Sequence, residues 1–136
     1  VNVSDSPDFT FVIESSLAVR SAVVAIWKAA TAAGWTVVGD YDLTGLMASA
    51  GGAGFEMKSI DICQPELAVP FLKNETLAAL VMPCNVLIYR LGDKTRIATL
   101  RPSVILARLF AGISDDLGDL PERIDRELRQ ILEAGR

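Results

Sequence analysis

The chain has 136 residues, with 13 Lys and Arg against 17 Asp and Glu for a net charge of −4. That is the length of one domain, 1–136, and the wrong charge for holding a nucleic-acid backbone. Hydrophobic residues make up 51 % and mean hydropathy is +0.36, which excludes disorder, while no apolar run reaches the roughly 18 residues of a membrane span. Histidine is absent, so His bases, Ser-His-Asp and Cys-His pairs and His-ligated zinc or haem are excluded. The surplus of apolar residues predicts a buried subunit interface, and a homodimer is its commonest form.

The polar stretch Asn2 to Asp8 reads as a disordered N-terminal segment, 1–8. It tilts the expected location slightly towards a bacterial periplasm over the cytoplasm. Phe9 to Glu14, rich in aromatic and β-branched residues, predicts a first strand. Ser15-Ser16 offers an N-cap to a helix over Leu17 to Ala33, closed by Gly34. This helix is apolar nearly all round and should be covered on more than one side. Trp35 to Leu43 is a second strand, with Asp40 and Asp42 two apart on one sheet face. Such a pair suits a metal or acid–base site only with a third ligand in register, so a solvated face is the expectation.

Gly45 to Gly54 has neither a dinucleotide fingerprint nor the Gly-Lys-Ser/Thr of a phosphate loop, and it predicts a flexible loop, 45–54. Phe55 to Cys63 alternates as a third strand, and Pro65 opens a short helix through Lys73. Val86 to Leu91, the turn Gly92-Asp93-Lys94 and Thr95 to Leu100 form the clearest hairpin. A helix from Pro102-Ser103 to about Phe110 and a loop over Gly112 to Gly118 follow. Asp119 and Glu122 have capping-box spacing before a last helix, 119–134. That helix carries a narrow seam of Leu120, Ile124, Leu128, Ile131 and Leu132, with Glu122–Arg126 and Asp125–Arg129 as expected ion pairs. The order β-α-β-β-α-β-β-α-α predicts an α+β two-layer sandwich, an antiparallel sheet backed by helices.

Ile60-Asp61-Ile62-Cys63-Gln64-Pro65-Glu66-Leu67-Ala68 and Val81-Met82-Pro83-Cys84-Asn85-Val86-Leu87-Ile88-Tyr89, preceded by Gly34-Trp35-Thr36-Val37-Val38, carry a pattern. From about Phe11 to Leu106 the chain resembles the domain of unknown function 302 family. That family has a Cys-x-Pro before a short helix and a Pro-Cys-Asn run entering a hairpin. Cys63, Pro65, Pro83, Cys84 and Asn85 fall on those positions. The resemblance implies an antiparallel sheet of TATA-binding-protein type, often dimeric, and implies little about chemistry. Met47 to Gly54 departs from the lysine-bearing helix usual in the family.

Cys63 stands before a helix N-terminus, where the dipole favours a thiolate, and Cys84 follows a proline at a strand start. Such a pair, close together and lining one pocket, would form a binding or thiol-redox module. It could hold a sulfur species or another small molecule, a soft metal or a thiolate-ligated haem, with Asn85 supplying a polar contact. The alternative is a structural, protein-binding scaffold in which both cysteines are simply buried. An enzyme using Asp40, Asp42 or Asp61 is the weakest reading, since no convergent pair is visible. Trp27 and Trp35 read as core packing.

Overall fold

The computed structural model describes residues 2–52, 54–110, 112 and 116–136. Val1, Ala53 of the glycine-rich stretch and most of the segment after Phe110 lie outside them. The described residues form β1 (Thr10–Ser15), α1 (Val19–Ala32), β2 (Thr36–Asp42), α2 (Leu43–Ser49), β3 (Met57–Cys63), α3 (Pro65–Asn74), β4 (Cys84–Leu91), β5 (Lys94–Leu100), α4 (Pro102–Leu109) and α5 (Leu120–Glu133). Short 3-10 turns occupy Val3–Asp5 and Thr76–Val81. The strands make one antiparallel sheet in the order β1-β5-β4-β3-β2. The α+β sandwich expected from the sequence is the observed architecture, with the helices as the second layer.

The hairpin shows how directly residues dictate this sheet. Leu91 pairs with Lys94, leaving Gly92-Asp93 as a two-residue turn. Gly92 adopts φ +64°, the left-handed value that such a turn demands. Alternation then buries Val86, Ile88, Thr95, Ile97 and Thr99 towards the helices, and the paired strands bring in Ile13, Ile60 and Ile62. Against this face α1 lays Val19, Ala22, Val23, Ile26 and Ala30, and α5 lays Ile124, Leu128, Ile131 and Leu132. The seam of α5 is thus covered within the chain. Val24 and Trp27 of α1 stay exposed, whereas Trp35 is buried in the core.

Several local expectations gave way to stronger partners. Ser15 and Ser16 do not cap α1, whose N-cap is Ala18. Ser15 instead finishes β1, its Oγ donating to the Gly135 carbonyl and accepting from Leu17 N at 3.1 Å. Gly135 is itself buried, and a Cβ there would stand 2.6 Å from Ile97 Cδ1. Asp119 sits at φ −91°, ψ 8°, short of the extended backbone that aims a capping side chain, and no capping-box bond forms. Within the segment expected to be disordered, Asp8 is tied down by Arg108 at 2.6 Å and its carbonyl by Arg101 at 2.9 Å.

The largest departure is at the glycine-rich stretch. Where a loop was expected from Gly45, α2 occupies Leu43–Ser49. Asp42 Oδ1 accepts from the amides of Thr44 (3.1 Å) and Gly45 (3.4 Å), which satisfies donors that the first helical turn leaves open. Thr44 Oγ1 is also locked to Met57, accepting from its N–H at 2.8 Å.

Candidate functional site

Cys63 ends β3 and Cys84 begins β4, and the register pairs Ile62 with Cys84. One step of offset places the two cysteine Cα atoms about 6 Å apart, from the spacing and rise of a sheet. The same step sends the side chains to opposite faces. Cys84 follows Ile62 towards the helices, and Cys63 lies with Asp61 and Asn85 on the other face. Both cysteines are free.

A cavity of about 290 Å³ wraps this end of the sheet and is bordered from both faces. Cys63, Pro83, Cys84 and Asn85 line it. Pro65 does not: it is exposed and opens α3, where its lacking N–H costs nothing. The Met82–Pro83 peptide is cis. The remaining wall is largely apolar, with Gln64 and Thr99 as its polar members: Trp35, Ile62, Leu67 and Phe71 from one side, Val81 and Met82 from the end of the 3-10 turn, and Ile105, Leu106 and Ile124 from α4 and α5. Sequence reasoning did not place these in a site. Leu67 and Phe71 share one helical stripe, the available signal, but only the fold shows that the stripe faces a void.

The polar groups here are largely engaged by the protein. Asn85 Nδ2 donates to Asp61 at 2.8 Å and to the Ser59 hydroxyl. Its amide hydrogens therefore serve the sheet and are not free for a ligand. Thr99 donates to the Asn85 carbonyl at 2.7 Å, and Trp35 Nε1 donates to Glu127 at 3.1 Å. The Cys84 thiol is pushed up to about 12, chiefly by burial and then by the charges of Cys63, Asp125 and Asp61. Burial also raises Cys63. At Cys63 burial acts against the thiolate that the α3 N-terminus would favour. Both groups are neutral thiols near neutral pH.

The two thiols do not converge on one soft-metal ion: their side chains diverge to opposite faces of the sheet, and no cluster of three His, Cys, Asp or Glu capable of holding an ion occurs among the described residues. The carboxylates considered from the sequence are separately occupied. Asp40 pairs with Lys58 at 3.0 Å, Asp42 caps α2, and Asp61 accepts from Asn85. Among the described residues no helix is long and apolar enough to cross a membrane.

An antiparallel sheet backed by helices, with cysteines at the facing ends of β3 and β4 beside an apolar cavity, defines the class. The DUF302 family, a domain of unknown function, matches residues 11–135, and the chain belongs to that family. The match takes in α5, beyond the span that the sequence motifs alone suggested. The crystal structure of an uncharacterized conserved DUF302 protein from Bacillus stearothermophilus is similar in fold. It has a TM-score of 0.86 at 18 % identity, covering 96 % of this chain and 100 % of that one. No curated protein matches the chain.

Proposed function

We propose that the protein is a binding module for a small, uncharged, apolar molecule, held in the cavity at the β3–β4 end of the sheet. The observation that carries this is the convergence of both cysteine motifs with α3, α4 and α5 on one largely apolar cavity of about 290 Å³. An apolar cavity of about 150 Å³ takes benzene, so this one suits a ligand of roughly twice that size. The Cys84 thiol serves as a weak, neutral polar contact in the wall. The two thiols face opposite sides of the sheet and burial raises both, which disfavours a disulfide between them and slows thiolate chemistry, so binding is favoured over redox chemistry.

Indole and 1-octanol, titrated against methyl-labelled protein, test this. Saturable shifts at Leu67, Leu106 and Ile124, abolished in the cavity-filling variant Ala68→Leu, are expected. Shifts that never saturate, or that persist unchanged in Ala68→Leu, overturn the proposal. Rapid carbamidomethylation of both cysteines at pH 7 would instead restore the thiol-redox reading.

A second reading, a scaffold for another protein chain or a second copy of this one, rests on Leu77 and Leu80. These residues of the 3-10 turn are 59 % and 79 % exposed. Sedimentation separates the two: a concentration-dependent dimer abolished by Leu77→Ser, Leu80→Ser favours the scaffold, and a monomer at micromolar concentration removes a self-association role.

A further inference from the structure

A second cleft, of about 370 Å³, lies across the β5–α4 junction from the apolar cavity. Phe11, Arg101, Ser103, Glu122, Asp125, Arg126 and Arg129 line it. We infer that this cleft is a binding site for a small oxyanion, the phosphate or carboxylate group of a metabolite-sized ligand. The inference does not rest on the apolar cavity, and either site can fail without the other.

Three observations carry it. First, the guanidinium carbons of Arg101 and Arg129 each stand 5.1 Å from the centroid of the same Phe11 ring. Two like charges around one ring lie within roughly a Debye length of each other, about 10 Å at ordinary salt. The ring face attracts each cation without neutralising either.

Second, the lining carries three arginines, Arg101, Arg126 and Arg129, against two carboxylates. Asp125 is buried and already accepts from Ser103 N at 3.0 Å, Ser103 Oγ at 2.6 Å and Arg101 Nε at 3.4 Å. Glu122 is the one other carboxylate on the described lining. The helical spacing would let Glu122 pair with Arg126, and Asp125 with Arg129, but neither pair forms within 4 Å. Among the described residues the ion pairs of α5 are Arg101–Asp125, Arg123–Glu127 and, just past its end, Arg136–Glu133. Arg126 and Arg129 thus border the cleft without an ion pair within 4 Å among the described residues, Arg129 feeling the charge of Glu133 further along α5, in a protein whose net charge is −4.

Third, part of the site is held ready. Arg101 is fixed by Asp125 from one side and by the Asp8 carbonyl, 2.9 Å from its Nη1, on the other. A planar guanidinium held in place is the geometry that takes an oxyanion through paired N–H donors.

Arginine Nε–H resonances, followed while inorganic phosphate or acetate is titrated against sodium chloride of equal ionic strength, provide the test. Saturable shifts at Arg101, Arg126 and Arg129 are expected with phosphate. Parallel saturation with acetate extends the ligand class to carboxylates, and saturation with acetate alone restricts it to them. Arg126→Gln, which removes no contact that the fold uses, should weaken binding by about tenfold, the loss of one charge-assisted hydrogen bond. Arg20→Gln, on the exposed side of α1, should leave it unchanged. Shifts that follow chloride and phosphate alike, or equal phosphate affinity in Arg126→Gln and the parent, overturn the inference.

Discussion

Helices α2 and α4 are nearly the same length, and an aspartate accepts hydrogen bonds from the first turn of each, yet they sit in the molecule in opposite ways. Asp42 caps α2 from the adjoining residue, and α2 buries none of its side chains. Asp125 reaches α4 from 22 residues away on α5, and α4 sends Leu106 into the core and the cavity wall. The first helix is held by its own cap and by the adjoining start of β3, the second by a distant helix. It follows that α4 belongs to the cooperative core and shapes both clefts, whereas α2 is a local decoration of the β2–β3 connection. Helices shorter than about 12 residues are marginal alone, so what holds each one decides its role.

Truncation on the two helices should break this comparison first if it is wrong. Leu106 is 3 % exposed and Leu46 is 61 % exposed. Leu106→Ala is expected to lower global stability by about 2–3 kcal/mol, towards the low end for a buried leucine because its side chain already borders a void. Leu46→Ala should stay within about 0.5 kcal/mol. Urea denaturation of both variants decides it; equal effects would make the two helices equivalent.

Asp125 comes next. Asp125→Ala removes a charged acceptor from a half-buried backbone amide, a hydroxyl and a guanidinium, and should cost about 2–3 kcal/mol. It should also act on Cys84, because the Asp125 charge is one of the causes of that thiol's raised value. A cysteine whose folded value lies above the unfolded one stabilises the fold fully below the ordinary 9.0. That contribution is lost as pH rises from there towards about 12. Stability should therefore fall above pH 9, and the fall should flatten in Cys84→Ala. In Asp125→Ala, alkylation of Cys84 should become significant at a lower pH. Alkylation profiles identical to the parent would mean that Asp125 does not reach the thiol.

What was legible in the sequence follows the same division between local and distant partners. The hairpin at Gly92-Asp93, the strands that feed it and the α5 seam were readable because period, turn residue and core face all lie within one segment. The family resemblance drew attention to Cys63, Pro65, Pro83, Cys84 and Asn85, but the opposite facing of the two thiols was not legible. That depends on pairing Ile62 rather than Cys63 with Cys84, a one-residue choice of register. The role of Asp125 was hidden for a related reason. Its spacing to Arg129 suggested a surface pair, and its place in the buried stripe with Pro121, Ile124 and Leu128 was the overlooked sign of an inward partner. The cationic cleft joins Phe11, Arg101 and α5, three segments whose meeting no local pattern announces.

The smallest effect tests the least legible element. In the sequence, Asp42 reads as the tail of a strand, and the glycines after it argue against a helix, each interior glycine costing about 1 kcal/mol relative to alanine. The structure offsets that cost at the N-terminus. The Asp42 carboxylate takes the Thr44 and Gly45 amides, and the Thr44 hydroxyl both donates to the Met57 carbonyl at 3.1 Å and accepts from its N–H. Asp42→Ala should therefore remove about 1 kcal/mol from α2. Because α2 buries nothing, the loss should not spread. Amide exchange should quicken over Leu43–Ser49 while the β4–β5 hairpin keeps its protection, and the urea midpoint should barely move. Thr44→Val, which keeps the cap and removes the Met57 bonds, should loosen the start of β3 as well. A drop in global stability as large as that of Asp125→Ala would show that the short helix carries core energy after all, and the contrast between the two helices would fail.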